Sequence, residues 1–412
     1  MNGTSSGALP PQIESSDWPE LSYRLGLTDG LPTFPPERRV VDQLIAGSGL
    51  PADHVVGAIP PLGRAATIEA IAANAAMAGC LPEYLPIVIA AIDAMLEPRF
   101  NLAGVVTTTH PCWPLVIVSG RAVSELGMAT RESLFSGGGA RANLAIGRAI
   151  RLIIWNLGGA HPREPVQEIM GHPGRLAYCI AEEPTNTPWP LLSQAHGLSP
   201  AESTVMVFAC EGPQIANLWG VATPSKVATP SKVATPSKVT TPSKATPLSK
   251  VGTTEGDQVA ERWLELVADQ MCARGNSNTH TMGEMLVVIS PSMARTLASE
   301  GWTRERAQAF LWQKARRRLG DIRVEADGTP AVDSNAHYDW WPTDLVDQSD
   351  PESRVPVTWS PEAIHLIVSG ADSIPCAAVC PSWGHLGGFA VTRALPGPGV
   401  RRNPQNTKRS EA

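Results

Sequence analysis

The chain has 412 residues, 43% of them hydrophobic and 17% charged, with seven cysteines and a formal net charge of −6. This length suits two domains of ~100–200 residues, and the composition is ordinary for a folded protein and too apolar for a wholly disordered one. Five lysines fall in residues 221–252, which hold no acidic residue; without them 28 basic residues face 39 acidic ones, a balance that argues against a nucleic-acid partner.

The odd number of cysteines, scattered without repeated CxxC spacing, fits reduced thiols and a cytoplasmic location. Residues 1–38 have neither the basic start nor the apolar run of a secretory signal and are expected to be a disordered leader. The longest apolar segments, YLPIVIAAIDAML and LAIGRAIRLIIWNL, are short and interrupted by Asp93, Arg148 and Arg151, which argues against a membrane span.

In chain order, ATIEAIAANAAMAG reads as a helix stopped by Gly79, and Pro82 starts the next, PEYLPIVIAAIDAML. Cys80 lies between them, just ahead of a helix N-terminus. TTTHPCWPLVIVSG then places His110 at a proline turn before a run of β-formers. In FSGGGARANLAIGRAI three glycines lead into a helix carrying Arg141, Asn143 and Arg148. The strand LAYCIAEEP ends on Glu182 and Glu183, and TVMVFACEG ends on Glu211. A hexad close to ATPSKV, with proline in every copy, fills residues 221–253 and reads as an extended linker.

Beyond the linker come the helix AERWLELVADQMCAR, Thr279-His280, the strand LVVIS, two further helices, and the strand IHLIVSGAD ending on Asp372. Each side of the linker thus carries a helix, a Thr-His pair, a strand, two helices, an SPAE or SPEA string, a strand and a Trp-Gly pair. His110 to Ser119 spans nine residues and His280 to Ser290 ten. The reading is α/β, with two similar halves arising from an internal duplication. The halves are 39–220 and 254–395, joined by the linker 221–253 and followed by a basic tail, 396–412. Short β-branched runs separated by helices imply parallel strands with crossover helices, and by analogy with other duplicated chains a cleft lies between the halves.

Ligands of open α/β sheets collect at the carboxyl ends of strands, near helix N-termini. Gly137, Gly138 and Gly139 with Arg141, Asn143 and Arg148 fit an anion site there, of the carboxylate or phosphate kind; a flexible glycine turn with surface arginines is the other reading. The motif matches neither the Walker nor the dinucleotide fingerprint, so no nucleotide is implied and the cofactor stays open. Cys80 is either a core thiol or a nucleophile whose pKa is lowered at the helix start. His110 is either a turn histidine bonded to backbone or an acid–base group. Its HxC pair with Cys112 lacks companion ligands, so no metal site is assigned. His280 is its counterpart in the second half, and Glu182 is a candidate base or a solvated strand-end charge.

The strings DGLP, GRAATIEAIAANAAMAGCLPEYLP, TTHP and LVIVSG, with the Asn143/Arg148 helix, resemble an uncharacterised family of soluble bacterial proteins. The resemblance covers most of the first half and, more loosely, the second. It implies an association with small cysteine or selenocysteine proteins bearing a UGSC motif, a motif this chain lacks. Two functions are expected from these readings. The first is a cytoplasmic enzyme acting on a small anionic, carboxylate-bearing substrate by thiol-dependent hydrolysis, elimination or reduction. In it Cys80, His110 and Glu182 are catalytic, while the Gly137–Arg141 turn, Asn143, Arg148 and His280 bind substrate. The second is a non-catalytic partner subunit, with a separate cysteine or selenocysteine protein supplying the reactive group.

Overall fold

Every residue of the strand Trp113–Gly120 is buried, and so is every residue of Ser203–Cys210. Continuous runs of Val, Ile, Leu and Met are what a central strand covered on both faces requires. These two strands pair antiparallel along their whole length. The computed structural model describes residues 16–162, 165–195, 197–199, 202–216, 218, 259–273, 275–324, 327–329, 340–385 and 387–395; the expected linker 221–253 and tail 396–412 lie outside the described residues.

In chain order the strands are β1 (Val55–Ile59), β2 (Arg64–Thr67), β3 (Trp113–Gly120), β4 (Cys179–Ala181), β5 (Ser203–Cys210), β6 (Gln214–Ala216), β7 (Met285–Ile289), β8 (Arg316–Arg318), β9 (Arg354–Pro356), β10 (Ile364–Val368), β11 (Ala377–Pro381) and β12 (Val391–Ala394). Two small ribbons, β1-β2 and β8-β9, accompany two four-stranded sheets, ordered β12-β5-β3-β4 and β6-β11-β7-β10. In the first, β3 is parallel to β4 and antiparallel to β5. In the second, β7 is parallel to β10 and antiparallel to β11. The outer strand of each comes from the opposite half: β12 pairs antiparallel with β5, and β6 with β11.

The architecture is therefore mixed α/β rather than parallel. β-Branched runs mark buried strands but carry no information about direction, and among the described strands only the β3–β4 and β7–β10 pairs are parallel. Strand order also matches β4 with β10 and β5 with β11. The SPAE string precedes β5 whereas SPEA precedes β10, so these two strings do not occupy corresponding places.

Several helices start at side-chain caps. Thr67 accepts from the Ala70 amide, Ser290 from Met293 and Thr303 from Arg306, starting the helices Ile68–Met77, Pro291–Ser299 and Arg304–Lys314. The second sheet is buried on both faces. Met285, Val287, Ile289, Leu366 and Val379 pack against helices of their own half, while the alternate residues Leu286, Val288, Ile367, Ala378 and Cys380 join the core of the first half. The period of two thus sends one face of the second sheet into a core shared by both halves.

Residues 16–38, expected to be part of a structureless leader, are folded. Trp18 on the helix Trp18–Arg24 donates from Nε1 to Thr33 Oγ1 at 3.0 Å. The fully buried Asp29 side chain pairs with Arg148 Nη2 at 3.0 Å. Trp18 also joins the hydrophobic core, while the Trp18–Thr33 bond and the Asp29–Arg148 pair are polar anchors that hydrophobic periodicity does not reveal.

A second buried ion pair joins the halves. Arg304 Nη2 lies 3.1 Å from Glu182 Oε1, with side chains 6% and 0% exposed. Glu182 Oε2 accepts from Ser119 Oγ at 2.5 Å and from the Leu192 amide at 2.7 Å. Burial pushes the Glu182 carboxyl up, opposed by Arg304 and these hydrogen bonds. A carboxyl raised in the folded state favours folding while protonated, and that contribution is lost as pH rises from the ordinary carboxylate range through the raised value. Arg304→Met leaves a buried charge unpaired and is expected to cost about 3–5 kcal/mol, whereas adding Glu182→Gln recovers most of it. Urea denaturation between pH 5 and 8 reads both effects. The single variant loses stability with rising pH more steeply than the double one, and equal stability of wild type and Arg304→Met would contradict the pairing.

Candidate active site

His110 is set by a short helix and a proline. Asn101, in the left-handed region at φ 51°, caps the helix Leu102–Thr107 by accepting from the Gly104 amide, and the chain turns extended at Thr108. Pro111 keeps His110 away from helical geometry. Thr108 Oγ1 then accepts from the His110 amide at 3.1 Å and from Trp383 Nε1 at 3.2 Å. This fixes the turn against a residue of the second half.

The imidazole meets Glu211, the residue that follows β5. His110 Nε2 and Glu211 Oε1 are 2.6 Å apart, with side chains 27% and 11% exposed. The same oxygen accepts from Ser277 Oγ, which also lies 3.1 Å from the Ser382 carbonyl. Glu211 sits where the ends of β5 and β11 cross: Cys210 and Ser382 form an antiparallel bridge, and the Glu211 amide donates to the Pro381 carbonyl at 3.0 Å. Tyr178 Oη holds the Glu211 carbonyl at 2.8 Å. A carboxylate gripping Nε2 fixes the orientation of the ring and leaves Nδ1 as the nitrogen with no hydrogen-bond partner among the described residues.

The other sequence-selected residues lie elsewhere. Gly137, Gly138 and Gly139 all have positive φ, at 79°, 54° and 76°. The Gly138 amide is taken by the Ser133 carbonyl and the Ala140 amide by Gly137. Arg141 Nε donates to the Gly79 carbonyl at 2.9 Å. Asn143, fully buried, clamps both backbone groups of Ala129. Arg148 pairs with Asp29 and the Leu31 carbonyl. These donors bind the chain's own backbone and side chains, and Glu182 is the inter-half tie described above.

Cys80 does lie near Arg141, but its Sγ contacts the Ala145 carbonyl at 3.4 Å in the core. Burial pushes its thiol up to about 12, against the opposing charge of Arg141. Burial likewise raises Cys112, Cys179, Cys210, Cys272 and Cys376. His110 has no hydrogen bond to Cys80, Arg141 or Glu182 among the described residues. His280 is exposed and offers its carbonyl to Trp341 Nε1; from that stretch of the second half it is Ser277 that reaches Glu211.

Two features escape a reading of motifs. Ser277 has no distinctive neighbours, and it becomes relevant only through the crossing of β5 and β11. Arg151 did leave a signal, a cation inside the apolar run AIRLIIW, and together with Arg175 it stacks on the Trp113 ring. Among the described residues no group of three or more His, Cys, Asp or Glu is placed to hold a metal ion, and no helix is long and apolar enough to cross a membrane. No protein-family model matches the chain, and no curated protein or solved structure does either.

With a pKa of about 12, Cys80 is ionised in about one molecule in 10⁵ at pH 7. Iodoacetamide at pH 8, followed by peptide mass mapping, is expected to modify the part-exposed Cys376 first and to leave Cys80 unmodified in the native protein. Alkylation of Cys80 at the rate of a free thiol would contradict this environment.

Proposed function

We propose that the chain is an enzyme acting on a small carboxylate-bearing substrate, with His110, held by Glu211, as its acid–base group. The observation that carries this is the 2.6 Å contact between His110 Nε2 and Glu211 Oε1 on a part-exposed imidazole at the crossing of two sheets. The chemistry is proton transfer: Nδ1 removes a proton from substrate or from an attacking water, and the imidazolium returns it to the leaving group, as elimination or hydrolysis requires. Glu211 and Ser277 orient the ring and balance its charge. The matched order and sense of the two sheets supports an internal duplication, and the unpaired cysteines support a cytoplasmic location.

The raised thiol pKa values favour a second reading, in which the chain is a partner subunit and a separate cysteine or selenocysteine protein supplies the reactive group. Incubating the purified chain alone with a panel of small hydroxy, amino and keto acids, followed by proton NMR, separates the two. The enzyme reading expects turnover of at least one acid, lowered about 10²–10⁴-fold by His110→Gln and comparably by Glu211→Gln. Turnover that persists unchanged in His110→Gln contradicts the acid–base assignment, and turnover that appears only when a thiol or selenol protein is added supports the second reading.

A further inference from the structure

Arg151 lies on the helix Arg141–Asn156 among Ile150, Leu152, Ile153 and Ile154, all buried, and is itself 7% exposed. Its Cζ is 5.0 Å from the centre of the Trp113 ring and 4.9 Å from that of Trp155. Arg175 Cζ stands 4.2 Å from the Trp113 ring centre. Both guanidiniums thus share one indole. Arg175 meets Glu168 Oε2. Arg151 Nε, Arg151 Nη1 and Glu168 Oε1 are buried and have no hydrogen-bond partner among the described residues. Arg151, Glu168 and Arg175 line one cavity of about 460 Å³, together with Val166, Met170 and Gly171.

Buried polar groups in native proteins are paired, so a buried arginine that lines a cavity and has no hydrogen-bond partner among the described residues points to a ligand that pairs it. Two guanidiniums against one carboxylate leave a single positive charge. The pocket therefore matches a singly charged anion that offers oxygen atoms to Arg151 and a hydrogen-bond donor to Glu168. Burial, and then the charge of Arg151, lower Arg175 to about 10.

We propose that this cavity is the substrate subsite and takes a small carboxylic acid bearing a donor on the neighbouring carbon, a 2-hydroxy or 2-amino acid. The carboxylate meets Arg151 over the Trp113 ring, and the hydroxyl or amino group meets Glu168. Two contacts tie the segment that lines the cavity to the chain neighbours of the acid–base pair. The Ile169 amide donates to the Thr109 carbonyl at 3.2 Å. His172 packs against Gly212, the neighbour of Glu211, closely enough that a Cβ there would sit 3.6 Å from the His172 Cβ. The subsite rests on the acid–base reading for what happens to the bound acid, and binding itself is independent of it.

The test is calorimetric titration of the purified full-length chain with lactate, alanine, propionate, lactamide and inorganic phosphate. Lactate or alanine is expected to bind at least about tenfold tighter than propionate, which lacks the donor, and lactamide, which lacks the charge, is expected not to bind. Arg151→Met, which keeps the stem packed on Trp113, is expected to weaken binding at least about tenfold, with folding checked by its melting temperature; Arg175→Lys serves as a second variant, expected to weaken it in the same direction. Propionate binding as tightly as lactate, phosphate binding more tightly than every acid, unaltered affinity in folded Arg151→Met, or no binding by the wild type overturns the proposal. His110→Gln is expected to bind within about twofold of wild type. Binding retained alongside full turnover in that variant would sink the acid–base reading and leave the subsite standing.

Discussion

The exchange of edge strands between the two sheets is the constraint on which the rest of the molecule depends. A strand at a sheet edge leaves a row of amides and carbonyls unpaired. Here β5 satisfies its outer side with β12, and β11 does so with β6, so each half closes the sheet of the other. Neither half completes its own four-stranded sheet. The shared core follows, because Leu286, Val288 and Ile367 can face the first half only if the sheets are held in this order.

The exchange also decides where polar chemistry collects. Closing both sheets draws the ends of β5 and β11 together at Cys210 and Ser382, and the residues just beyond them become neighbours. Glu211 thereby meets His110 from one half and Ser277 from the other. On the far side of the His110 turn, Trp113 begins β3 and presents its ring to Arg151 and Arg175. One six-residue stretch, Thr108 to Trp113, therefore carries the imidazole, the inter-half contact to Trp383 and the platform for two cations. On the proposed reading, the imidazole and the cationic cavity at the two ends of this turn are the components that proton transfer on a bound acid needs.

Much of the scaffold was legible in the sequence. Buried strands such as LVIVS and TVMVFAC announce themselves by continuous apolar runs, and Gly79 and Pro82 mark the boundary between two helices. Strand direction and the exchange of β6 and β12 were not legible, because they depend on pairings between residues 63 to 190 positions apart in the chain. The candidate site divided in the same way. His110 and Glu211 stood out locally as a turn histidine and a strand-end carboxylate, yet nothing local joins positions 101 residues apart. The glycine-rich turn looked like an anion cradle because amides and arginines were present. Their partners, Ser133, Gly79, Ala129 and Asp29, are visible only once the chain is folded. Arg151 is the reverse case: a charge in an apolar run excludes a membrane span, and the same oddity marks a buried cation.

The central claim is that the imidazole at the sheet crossing and the cations on Trp113 act on one bound acid. The most direct measurement is the imidazole nitrogen resonances of His110, followed in ¹⁵N-labelled full-length protein as lactate is titrated, in wild type and in Arg151→Met. The account predicts a saturable shift of the His110 resonances in wild type that is lost in the variant. Resonances that do not respond while lactate binds, or that respond equally in both proteins, would contradict it.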